Sequence, residues 1–162
     1  MMALLVAMLV LTVHGNEPVA EFLDFTFYDA MDKEYHSTRV PEDMLLNQSI
    51  CLDPRIVLIE TSSLEHPEYI RQAGILKSLS HQEYDFLSVV ACPTAHVQEG
   101  YHTDGDTASL LVEGEGSFRV VLLNSSGAVI DSWNAPVSAR QLRRHIPLIQ
   151  PAFMAADRNA IP

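Results

Sequence analysis

Residues 55–92 read RIVLIETSSLEHPEYIRQAGILKSLSHQEYDFLSVVAC, and this stretch decides the fold. It opens with the apolar run 55–60 and closes with the similar run 85–92. Continuous runs of this kind predict strands that are covered on both faces, because a strand with one face in water alternates. Between the runs, apolar side chains recur at helical spacing after Pro67, which predicts a helix over about 66–80. Strand, helix and strand together predict a βαβ unit with two parallel strands.

Downstream of this unit the pattern changes to a hairpin and a closing helix. The runs 118–123 and 128–133 flank the turn-forming residues 124–127, which predicts two antiparallel strands. Ser138 and Gln141 have the spacing of a capping box, which predicts the start of a final helix. We therefore expect an α/β fold of the thioredoxin-like order, with a mixed four- to five-stranded sheet and helices on both faces.

Length and composition limit the organisation and the partners. The 162 residues suit one domain, and an apolar content of 48% excludes a wholly disordered chain. Ten Lys and Arg against 21 Asp and Glu give a net charge of −11, which disfavours nucleic acid and anionic membrane surfaces as partners.

The first residues predict export. The uncharged apolar run 3–13 is too short to span a membrane and fits the core of a secretory signal. We therefore predict a signal peptide over 1–15, a lead-in segment over 16–50, a thioredoxin-like domain over 51–150 and a tail over 151–162. The expected location is periplasmic or secreted, with no membrane span after cleavage; the alternative is that the run is a buried N-terminal element.

The hairpin and the last helix resemble a known group. The stretches FRVVLLNSSG at 118–127 and DSWNAPVSARQLRRHI at 131–146 are similar to the thioredoxin-like domain of unknown function of the P-DUDES group. That group occurs in secreted bacterial proteins and in vertebrate sushi-repeat extracellular proteins. The resemblance covers 55–149 and implies a thioredoxin-like fold, but it brings no established enzymatic activity and no cofactor. One departure is the hairpin turn, which is usually Gly-Lys-Asp-Gly in the group and is Asn-Ser-Ser-Gly here.

Glutamates stand where redox thioredoxins carry their two cysteines. Those cysteines follow the first core strand at a helix N-terminus, and the matching residues here are Glu65, His66, Pro67 and Glu68. A carboxylate cannot take part in thiol–disulfide exchange, so we expect no redox activity at this position. The three ionisable residues could bind a ligand, with His66 as a base or a metal ligand, or they could simply form a solvated helix start whose glutamates favour the helix dipole.

A second candidate site is the polar loop 96–106. His96, His102, Asp104 and Asp106 combine imidazole with carboxylate, the ligands that suit zinc or copper. The alternative is an exposed loop in which Asp106 or Thr107 caps a short helix over 108–112.

The two cysteines are predicted not to pair with each other. Cys51 precedes the first core strand, and Cys92 lies at the end of the parallel strand beside it. The two cysteines are therefore expected at opposite ends of the sheet, too far apart for a disulfide.

Two functions of different classes follow from these features. The favoured one is an exported, non-redox binding module that contacts an envelope protein or a small ligand through Glu65–Glu68 or the histidine-rich loop. The alternative is a cell-envelope enzyme or metal-handling protein that uses the same loop.

Overall fold

The computed structural model describes residues 21–41, 44–46, 49–51, 54–79, 84, 86–95 and 100–146, with backbone alone over 44–46 and 49–51. The predicted signal peptide, the tail over 151–162 and His96 lie outside the described residues. The described part contains nine strands and three helices, in the chain order β1 (Thr26–Tyr28), β2 (Glu34–His36), β3 (Met44–Leu46), β4 (Ser49–Cys51), β5 (Arg55–Thr61), α1 (Pro67–Ser78), β6 (Phe86–Ala91), β7 (Tyr101–His102), α2 (Gly105–Leu111), β8 (Phe118–Leu123), β9 (Val129–Trp133) and α3 (Ala139–Leu142).

The core strands pair as the sequence predicts. Strands β5 and β6 are parallel, whereas β8 is antiparallel to both β5 and β9. The predicted elements from β5 to α3 occur in the predicted order in a mixed sheet, with β7 as an additional strand between β6 and α2. The connection between β5 and β6 passes through α1, as parallel neighbours require.

The predicted size of the sheet is wrong. It has seven strands in the order β2-β1-β7-β6-β5-β8-β9, and β3 with β4 forms a separate hairpin. The additional strands are short: Tyr28 pairs with His102, and β7 pairs with β6 over two residues. Such segments take their conformation from tertiary pairing rather than from a run of strand-forming residues.

Helices cover both faces of the sheet, as predicted. On one face, Leu76 of α1 and Leu142 of α3 pack against Val57 and Ile59 of β5 and against their cross-strand partners in β8. On the other face, Ala108 and Leu111 of α2 pack against the opposite side of β5 and β6, together with Phe27 of β1 and Phe25 just before it. Residues that alternate along β5 thus enter two separate cores, which explains why its sequence is continuously apolar.

The helix starts agree with the sequence in two cases of three. α1 begins at Pro67, and α3 begins after Ser138, whose hydroxyl and Gln141 form the predicted capping box. α2 begins at Gly105, and its cap is Asp104 rather than the predicted Asp106 or Thr107. The carboxylate of Asp104 accepts a 2.6 Å hydrogen bond from the Thr107 amide, three residues into the turn.

Candidate functional site

Three loops meet at the C-terminal edge of β5 and β6. Ser62, directly after β5, accepts through its hydroxyl a 3.0 Å bond from the Gly116 amide and donates its own amide to the Ser117 carbonyl. The Thr94 hydroxyl, after β6, donates to the Ser62 carbonyl at 2.8 Å. Ser62 therefore fixes the positions of the other two loops, and open α/β sheets place their binding sites at this edge.

His66 joins the start of α1 to the loop before β8. Its Nδ1 accepts a 3.3 Å bond from the Glu68 amide, and its Nε2 lies 3.2 Å from the Gly116 carbonyl oxygen. Because a carbonyl only accepts, Nε2 must carry the hydrogen, and the ring is the neutral Nε2–H tautomer. The ring also stacks on Phe118, with centroids 5.9 Å apart. Both ring nitrogens are thus engaged within the chain.

The glutamates on either side of His66 face solvent to different degrees. Glu65 is exposed, and its backbone amide donates a 3.1 Å hydrogen bond to the Ser63 hydroxyl. Glu68 is half-buried in the first turn of α1, where its negative charge is favourable for the helix dipole. The structure brings the two carboxylates and the imidazole to one helix start, as the sequence predicts.

Among the side chains that the structure describes, Cys92 is the thiol at this edge. It is 3% exposed and free, and its Sγ lies 3.6 Å from the Thr94 hydroxyl. The prediction that Cys92 is not bridged to Cys51 is confirmed. Across the described ranges no peptide bond is cis, so the loop before β8 lacks the cis-proline conformation expected of a redox thioredoxin.

The structure separates the residues of the histidine-rich loop. His102 is buried in β7, Asp104 caps α2, and Asp106 is exposed in the first turn of that helix. Among the residues with described positions, no three His, Cys, Asp or Glu side chains lie close enough together to hold a metal ion.

His102 and Asp104 nevertheless line a common cavity of about 350 Å³. Its wall also includes side chains from the first hairpin and from the segments after β6 and β7, namely Tyr28, Asp32, Ala95 and Thr103. Burial, followed by the charges of Asp104 and Glu34, raises the pKa of the Tyr28 phenol above its usual value. The cavity is therefore aromatic and negatively charged.

Sequence reasoning missed Tyr28, Asp32 and Thr103 in this wall. Tyr28 and Thr103 belong to short β pairings that only the folded sheet creates. Asp32 adopts a left-handed backbone with φ of 59°, which Asp tolerates better than most residues. The preference of Asp for turns is therefore the local sequence signal for the position of this residue.

A second cavity, of about 270 Å³, lies beside the Ser62 network. Pro93 and Val112 give it apolar walls, and Ser62, Thr94 and Glu115 supply polar groups. The two cavities share no described lining residue and differ in chemistry.

A buried ion pair lies next to this edge. The Glu60 carboxylate accepts bonds of 2.8 and 2.9 Å from Nε and Nη2 of Arg119, its cross-strand neighbour. Burial raises the pKa of Glu60, although the Arg119 guanidinium opposes that rise. The pair ties β5 to β8 just before the loops that form the edge.

No helix within the described residues is long and apolar enough to cross a membrane. No protein-family model and no curated protein matches the chain. Among solved structures, the chain is similar to the crystal structure of a "putative electron transport protein" from Aquifex aeolicus VF5, with 12% identity and a TM-score of 0.46, over 75% of this chain and 90% of that one. At this level the likeness says nothing about what this chain does.

Proposed function

We propose that this chain is an exported, non-redox thioredoxin-like module that binds an envelope protein through the edge formed by Glu65, His66 and the Gly116 loop. The order of core strands and the resemblance of 118–146 to the P-DUDES domain support the thioredoxin-like assignment. The apolar run 3–13 supports export.

One observation carries the proposal: the imidazole of His66 is held on both sides, by the Glu68 amide and by the Gly116 carbonyl. To act as a base or as a metal ligand, this ring would need a free nitrogen. Freeing Nδ1 would break the cap of α1, and freeing Nε2 would break the bond to the Gly116 carbonyl. Its bonds fix the loop that presents Glu65, and a fixed loop loses little conformational entropy when a partner binds. The geometry therefore favours recognition over catalysis.

Site-specific photo-cross-linking tests the proposal. A photoreactive phenylalanine derivative in place of Glu65 is compared with the same group in place of Lys77, which is exposed in the last turn of α1 and so lies at the opposite end of that helix. In the native envelope fraction, we expect a discrete adduct from position 65 and none from position 77. Equal adducts from both positions, or none from position 65, would contradict it.

The alternative function, an enzyme or metal-handling protein, is favoured by the placement of His102 and Asp104 in one cavity. Zinc or copper titration of the purified protein decides this case. Stoichiometric uptake that is lost in a His96→Ala/His102→Ala variant would favour the metal-handling function over the binding module.

A further inference from the structure

The cavity between the first hairpin and α2 combines an aromatic wall with carboxylates. The Tyr28 ring and the His102 ring have centroids 6.2 Å apart and both line it, as do Asp32 and Asp104. No lysine or arginine is among the described residues of its lining. Aromatic faces and carboxylates together attract organic cations, through the ring quadrupole and through charge.

Asp32 lies in a turn that the Asp29 carboxylate stabilises. The Asp29 carboxylate accepts bonds of 2.8 and 3.0 Å from the Met31 and Lys33 amides, and the Asp29 carbonyl accepts from the Asp32 amide. The ammonium of Lys33 lies 5.1 Å from the centroid of the Tyr35 ring, and Lys33 does not line the cavity. Asp32 is the charged residue of this turn that does.

The wall of the cavity also holds the Asp104 carboxylate and the buried hydroxyl of Thr103. Asp104 uses Oδ1 to cap α2. Thr103 is 6% exposed, and its buried hydroxyl has no hydrogen-bond partner in the part of the chain that the structure describes. A buried hydroxyl without a partner costs free energy, so stability alone does not account for this part of the wall.

We propose that this cavity binds a compact organic ammonium group, held between the Tyr28 ring and the carboxylates of Asp32 and Asp104. A volume of about 350 Å³ falls at the small end of ligand pockets and suits a small molecule rather than a long chain. Metal binding fits less well, because the described His, Asp and Glu side chains do not converge to metal-ligand distances. This proposal does not depend on the proposed role of Glu65 and is tested on different variants.

Calorimetric titration with choline tests the proposal, and its neutral isostere 3,3-dimethylbutan-1-ol is the matched control. We expect saturable binding of choline in the millimolar range or tighter, and at least about fivefold weaker binding of the alcohol. Titration with Nα-acetyl-lysinamide separates the two sources of an ammonium: tighter binding than choline would assign the site to a lysine side chain, and weaker binding to a free small molecule.

Three charge-neutralising variants locate the site. Asp104→Asn keeps a good helix cap, and Asp32→Asn keeps a residue that tolerates the left-handed backbone, so neither is expected to unfold the protein. Each should weaken choline binding by about fivefold or more. Asp106→Asn is the control, because Asp106 is exposed on α2 and does not line the cavity. Equal binding of choline and the alcohol, no saturable choline binding, or equal effects of all three variants would overturn the proposal.

Discussion

Replacing Arg119 with methionine removes the partner of a buried carboxylate. The Glu60 side chain is 4% exposed and receives two bonds from Arg119, whose own side chain is 30% exposed. Two unit charges about 4 Å apart attract by about 4 kcal/mol at an effective dielectric of about 20. Breaking a buried pair by removing one partner costs about 3–5 kcal/mol. Because water reaches the Arg119 side of the pair, we expect the lower value, a loss of about 3 kcal/mol in the free energy of unfolding at neutral pH.

The pH dependence of that loss identifies its cause. Burial raises the pKa of Glu60, and without Arg119 the opposing contribution disappears, so the folded-state pKa rises further. A carboxyl whose pKa is raised on folding stabilises the protein most below its unfolded pKa, and that stability is lost as pH rises through the folded pKa. The deficit of Arg119→Met relative to wild type should therefore shrink as the pH is lowered from neutral toward the unfolded-state pKa of Glu60.

Urea unfolding followed by far-UV circular dichroism over that pH range measures the deficit. The double variant Glu60→Leu/Arg119→Met should recover most of the stability, because apolar replacements of a buried pair are often neutral. Arg140→Met, at an exposed position of α3, is the control and should stay within about 0.5 kcal/mol of wild type. A deficit below about 1 kcal/mol, or one that is the same at every pH, would refute the assignment of a buried, charge-compensated Glu60.

Further predictions concern single side chains of the core, a turn and the helix cap. Leu122→Ala, at a fully buried position of β8, should cost about 2–5 kcal/mol, whereas Arg143→Ala on the surface should cost about 0.5 kcal/mol or less; thermal melts in the reverse order would be inconsistent with both placements. Gly127→Ala should cost more than about 1 kcal/mol by urea unfolding, because φ is +84° and a Cβ would lie 2.9 Å from the Leu23 carbonyl oxygen; an unchanged midpoint would argue against this turn. His66→Ala should cost about 1–2 kcal/mol and His66→Asn less, because asparagine is itself a helix cap; equal losses would mean that the cap contributes nothing.

The sequence predicts the core of the fold well and its periphery poorly, for a physical reason. The strand 55–61 and the helix after Pro67 are determined by local patterns that burial on two faces and helix capping impose. Strand β7 is two residues long and exists because β6 and β1 pair with it. No periodicity in Tyr101 and His102 could indicate this.

The candidate sites show the same division. The positions of Glu65, His66 and Glu68 at a helix start follow from Pro67 and the strand before it. The bond from His66 to Gly116 spans 50 residues of sequence, so no local pattern predicts it. Similarly, Asp104 and Asp106 are both suitable caps, and the choice of Asp104 depends on which carboxylate reaches the third amide of the helix. The cavity wall contributed by Asp32 requires the first hairpin, whose strands have three residues each.

Insulin reduction by dithiothreitol tests most directly the claim that the start of α1 serves binding and not thiol exchange. The wild-type protein should give the same rate as buffer, because the start of α1 carries the carboxylates of Glu65 and Glu68 and no cysteine. The variant Glu65→Cys/Glu68→Cys, which places two thiols at the N-terminus of a helix, should accelerate the reaction and shows that the assay can detect this geometry. Acceleration by the wild-type protein would contradict the account.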